Sequence, residues 1–132
     1  MFAFYPERGS LMEDWPAVDR GQWRRVQLGR YLVDFCDARV TQMRFDAAGR
    51  VVDFGVADRA LAGIIASGKP FRTSGCPGEE GEEVSACNRP FGDSPPTDIL
   101  SFPFAPAPAD IDAVRRQMAG QDVRAGLIDA GD

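Results

Sequence analysis

ARVTQMRFDAAGRVVDFGV, residues 38–56, alternates polar and apolar side chains on either side of a small-residue break. Successive side chains of an extended chain point to opposite faces. Val40, Gln42, Arg44 and Asp46 would therefore share one side, and Thr41, Met43 and Phe45 the other. Ala47, Ala48 and Gly49 make a turn, with Gly49 free to take a positive φ, and Val51, Val52 and Phe54 resume the strand. The stretch predicts an antiparallel β-hairpin. Two strands alone are marginal in water, so either amphipathic helices cover this hairpin or another polypeptide completes the sheet.

Helical patterning flanks it. Upstream, Asp19 offers an N-cap, and Trp23, Val26, Leu28, Tyr31, Leu32 and Phe35 recur near the helical period, with Arg24, Arg25 and Arg30 between them. A helix is expected from Arg20 to Cys36. Downstream, ADRALAGIIASG (residues 57–68) places Leu61, Ile64 and Ile65 on one face with Gly68 as the stop, predicting a helix from Asp58 to Ser67. In PADIDAVRRQMAG (residues 108–120) a helix begins at Asp110 and stops near Gly120. The expected class is α+β: amphipathic helices packed on a small antiparallel hairpin, with a long Cys/Pro-rich loop, and a partner chain able to complete the fold. Residues 1–19 form an extended strap, too apolar at Phe2, Phe4, Tyr5, Leu11, Met12 and Trp15 to float, that packs on this domain or on a partner. Residues 20–120 are the α+β domain, which contains the cysteine loop of residues 69–108, and residues 121–132 are a tail.

With 132 residues, 44% of them hydrophobic and 27% charged, the chain fits one globular domain. A net charge of -5 argues against binding nucleic acid, which needs basic surface to neutralise phosphates. No stretch approaches the ~20 apolar residues of a membrane span. The absence of histidine excludes Ser-His, Cys-His and HExxH chemistry within this chain. An odd count of three cysteines, with Pro6, Glu7 and Arg8 breaking the apolar opening, predicts reduced thiols and a cytoplasmic protein. No nucleotide-binding glycine fingerprint occurs.

The remaining question is FRTSGCPGEEGEEVSACNRPFGDSPPTDILSFPF, residues 71–104. Cys76 lies in Ser-Gly-Cys-Pro-Gly and Cys87 in Ala-Cys-Asn-Arg-Pro. Glycine beside a thiolate exposes backbone N–H groups to sulfur, and a following proline removes a competing donor and stiffens the turn. Two cysteines do not fill four metal positions. Cys36 is either a third ligand or, as expected of a small apolar residue, part of a buried helix end. Glu79, Glu80, Glu82 and Glu83 lack the ligand pattern of a calcium loop and read as a solvated insertion that disfavours a nucleophilic thiolate. Arg89 either clamps a carboxylate or phosphate or pairs with Asp93 or Asp98. The segment is therefore a presenter of thiolates or an Ω-loop covering the core, its thiols incidental.

FRTSGCPG followed by ACNRPFGDSPPTDILSFPF resembles the C-terminal end of radical S-adenosylmethionine iron–sulfur proteins, in the biotin-synthase-related group that includes lipoyl-synthase-like members. The resemblance runs from about Tyr5 to Gln117, and in that pattern the two cysteines stand closer together than here. The Cys-x3-Cys-x2-Cys motif and the barrel of such enzymes are absent from the sequence, so the chain is not catalytic alone. The resemblance implies a small subunit or C-terminal module of such an enzyme, covering the active site of a partner barrel subunit. It implies that Cys76 and Cys87 ligate an auxiliary iron–sulfur cluster with ligands missing from this chain supplied by the partner. Asn88 and Arg89 are implied to contact substrate or cofactor, and S-adenosylmethionine would come only through the partner chain. The rival readings are a non-enzymatic structural zinc or protein-interaction module, and a reversible disulfide, against which the missing Cys-x2-Cys and βαβ pattern argue.

Overall fold

The computed structural model describes residues 3–72 and 94–126. Its described residues form three α-helices and one two-stranded antiparallel sheet, an α+β fold. The helices are α1 (Arg20–Phe35), α2 (Asp58–Ser67) and α3 (Pro108–Met118), and the strands are β1 (Arg44–Phe45) and β2 (Val51–Asp53). Short 3-10 turns, Val40–Gln42 and Lys69–Phe71, follow α1 and α2.

Local chemistry sets most of the boundaries. The carboxylate of Asp19 accepts from the Gln22 backbone N–H at 2.9 Å and so caps α1 as expected. Gly68, at φ +71°, ends α2. Helix α3 starts at Pro108, two residues before the expected Asp110, because proline suits the first helical turn and Asp110 reaches back to accept from the Ala107 N–H at 2.9 Å. In the hairpin turn, Asp46 Oδ1 accepts from both the Ala48 and Arg50 N–H groups at 2.9 Å, and Gly49 takes φ +79°.

The hairpin is shorter than its pattern suggested. Val40–Gln42 coil into the 3-10 turn instead of extending, and the register shifts between Arg44 and Phe45, which pair with Asp53 and Val51. That irregularity separates Met43 from Phe45: Met43 is buried, whereas Phe45 faces solvent. Val51 and Phe54 point inward with Met43 and join the core cluster of Leu28, Leu32, Phe71, Ile99, Phe102, Ile111 and Val114. The helices of this chain thus cover the hairpin, and each fully buried side chain such as Phe71 contributes roughly 1.5–3 kcal/mol.

Helix α1 turns a different face inward from the one its apolar residues outlined. Gly21, Trp23, Arg24, Gln27, Leu28 and Leu32 are buried, while Val26 and Phe35 are exposed. Its crossing with α3 is close: a Cβ built on Gly21 would stand 2.6 Å from the carbonyl oxygen of Gln117. The strap is exposed from residue 4 to residue 17 and touches the body at its feet, where Ala3 and Val18 pack with Trp23 and Leu100. Residues 121–126 pack on the body, with Ala125 buried and its carbonyl accepting from the Ile99 N–H at 2.6 Å.

Candidate functional site

The two arms of the cysteine segment are fixed inside the core. Phe71 and Phe102 are fully buried, Arg72 and Phe102 form a parallel bridge, and the Phe102 N–H donates to the Phe71 carbonyl at 2.8 Å. On the return arm the Leu100 N–H donates to Ser94 Oγ at 3.0 Å. Residues 71–72 and Ile99–Phe102 therefore lie side by side within the core.

Arg24 locks this junction. One turn of α1 sets Trp23, Arg24 and Gln27 toward the return arm, and all three donate to the Leu100 carbonyl, at 2.8, 2.7 and 2.8 Å. The remaining guanidinium donors reach the Ile99 carbonyl at 2.6 Å, Gln117 Oε1 at 2.8 Å and Gln27 Oε1 at 3.0 Å. The cation sits 5.9 Å from the Phe71 ring centroid and 5.4 Å from that of Phe102, within cation–π range. Gln117 in turn donates to the Val123 carbonyl at 2.9 Å, tying the C-terminal residues into the same network. With no exposed surface, Arg24 serves as an anchor for backbone carbonyls and not as a receptor for a dissolved anion.

A second ionic cluster lines an open cleft of about 400 Å³ between the strap, the start of α1 and the residues after α3. Arg20 grips Asp98 with two hydrogen bonds, of 2.9 and 2.6 Å, and reaches Asp122 at 3.0 Å. The hydrogen bonds that Arg20 donates to Asp98 keep its guanidinium protonated beyond its ordinary range, outweighing the opposing effect of partial burial. Asp98, one of the two partners considered for Arg89, is thus held bidentately by Arg20. The cleft presents carboxylate oxygens around an arginine whose donors are already engaged.

Cys76, Cys87, Asn88 and Arg89 lie outside the described residues. Cys36 is exposed as the C-cap of α1, not buried as expected, because the helix ends there and Asp37 turns the chain away at φ +54°. Among the described residues no group of three or more His, Cys, Asp or Glu side chains converges as a metal site, and no helix is long and apolar enough to cross a membrane. The Arg24 network escaped the sequence reading because Arg24 falls between the apolar residues that outlined the helix, and Gln27 and Gln117 carry no signal of their own there. Its one trace there is the i, i+3 pair Arg24 and Gln27, set beside Trp23 and Leu28 on the side the helix buries. No family model, curated protein or solved structure matches this chain.

Proposed function

We propose that this chain is a non-catalytic small subunit or C-terminal module of a radical S-adenosylmethionine enzyme, holding the Cys76 and Cys87 segment over the active site of a larger partner. The observation that supports this reading is the junction at Phe71 and Phe102: Arg24, Gln27 and Trp23 hold the return arm at Ile99 and Leu100, and Phe102 on that arm bonds the buried outgoing arm at Phe71. A functional loop borne on a rigid scaffold is the usual arrangement for binding surfaces. Thiolates are the ligands iron–sulfur clusters take, so the donor chemistry of Cys76 and Cys87 fits such a cluster in kind. In number it does not: two thiolates leave positions open, and the described residues supply no converging group to fill them. The missing ligands belong to the partner on this reading.

The test is metal and sulfide analysis with a visible spectrum, on protein made and purified without oxygen, beside a Cys76→Ala, Cys87→Ala double variant. The expected result is brown protein holding iron and sulfide, both lost in the double variant, with a larger radical enzyme co-purifying. Zinc near one per chain without iron would replace this reading with a structural zinc clip. Colourless, metal-free protein unaffected by the double substitution would refute it.

A further inference from the structure

Two apolar surfaces stand without a covering among the described residues, and they are opposite in charge. The first is the tip of the strap. Residues 7–15 wind through successive turns closed by Ser10 N–H to Glu7 carbonyl at 3.1 Å, Glu13 N–H to Ser10 carbonyl at 3.2 Å and Trp15 N–H to Met12 carbonyl at 3.1 Å. Glu13 Oε2 also accepts from the Gly9 N–H at 2.7 Å. This self-supported turn presents Leu11, Met12 and Trp15 to solvent, Leu11 with no covering at all (103% exposed) and Trp15 at 60%. Large apolar groups held in a fixed conformation have little ordering entropy left to lose on binding. Glu7, Glu13, Asp14 and Asp19 against Arg8 leave residues 7–19 with a net charge of 4 acids minus 1 base, or -3.

The second surface is α2. Its sequence DRALAGIIAS is mostly apolar, yet not one of its residues is fully buried. Leu61, Ile64 and Ile65 lean on the core while Ala62, Gly63 and Ala66 face outward, and nothing stands within 4 Å of a Cβ built on Gly63. Around it Arg59, Lys69 and Arg72 against Asp58 give residues 58–72 a charge of 3 bases minus 1 acid, or +2. Neither this group nor Glu7, Glu13 and Asp14 takes part in the ion pairs of the described residues.

We infer that the strap tip of one copy of this chain docks on α2 of a second copy, with Leu11, Met12 and Trp15 seated on the flat apolar face and the acids of the strap beside Arg59 and Lys69. The acidic strap tip and the basic helix face are complementary in sign, and both are carried by one polypeptide. A two-fold dimer makes the contact twice, which closes the assembly. The inference uses neither Cys76 nor Cys87, and its outcome is independent of metal content.

Sedimentation velocity over a concentration series tests it. The expected result is a reversible dimer that weakens as salt is raised, since the paired charges are exposed. Trp15→Ala, or Ala62→Glu on the other surface, should each weaken dimerisation by about tenfold or more while the circular dichroism spectrum stays native. Mixing the two variants should partly restore association, because the Ala62→Glu copy keeps an intact strap and the Trp15→Ala copy an intact α2. A monomer at every concentration, or a dimer indifferent to both substitutions, overturns the inference.

Discussion

Replacing Arg24 with methionine tests whether the junction beneath the cysteine segment depends on its buried cation. Methionine keeps much of the length and apolar bulk but no donor. Four hydrogen bonds disappear, and the Leu100 carbonyl keeps Trp23 and Gln27 as donors, so three acceptors lose the arginine: the Ile99 carbonyl, Gln27 Oε1 and Gln117 Oε1. A buried acceptor left unmet costs about 1–3 kcal/mol. Relief of the desolvation of the guanidinium offsets part of the sum over these three acceptors, leaving a net loss of about 3–5 kcal/mol. For a chain of this size that lowers the melting temperature by roughly 10–20 °C. Arg24→Lys retains the charge and one or two of the bonds and should lose roughly half as much, since an ammonium cannot reproduce the planar fork. Urea unfolding monitored by circular dichroism measures both, with the exposed Arg39→Ala as a control expected within about 0.5 kcal/mol of the parent. If Arg24→Met unfolds within that margin, or Arg24→Lys proves worse than methionine, the network does not hold the junction in the way described.

Gly21→Val should cost about 1–3 kcal/mol through overpacking, because its Cβ would meet the Gln117 carbonyl oxygen at the α1–α3 crossing, and thermal melting reads the loss directly. Acid should loosen the hairpin. Asp46 is held below its ordinary carboxylate value of 3.8 chiefly by the Arg50 N–H, and Asp53 chiefly by the Gly55 N–H. A folded-state value below the unfolded one means that their stabilisation is present above about pH 4 and is lost as pH falls through the lower folded value. Carboxyl NMR titration should therefore find both midpoints below 3.8, and a midpoint at or above it for either residue would contradict the hydrogen bonds assigned here.

Signals carried by single residues were legible in the sequence: Asp19 as a cap, Gly49 in its turn, Gly68 as a stop, and α2 to its exact ends. Each acts over a few residues, so the sequence neighbourhood contains the whole cause. The inward face of α1 was not legible, because it is decided by what lies across from it. Ile99 and Leu100 offer carbonyls there, and Arg24 and Gln27 satisfy them at the expense of Val26 and Phe35. The coiling of Val40–Gln42 and the shift after Arg44 were hidden for a related reason: the alternation of residue types continues through both. Of the candidate site, the arms at Phe71 and Ile99–Phe102 fell within a stretch read as a long Cys/Pro-rich loop, though they are among the most deeply buried of the described residues.

The closed junction between Phe71 and Phe102 also bears on how the chain length between its two arms can change. Once the two arms are joined, lengthening the span between them adds only the entropy of a larger ring, about 0.6 kcal/mol for each doubling in length. Against that small penalty, shortening or lengthening the span that carries Glu79, Glu80, Glu82 and Glu83 should leave the body's folding nearly untouched. The junction is a natural graft point: peptides of quite different lengths spliced between residues 72 and 94 should leave the scaffold unchanged.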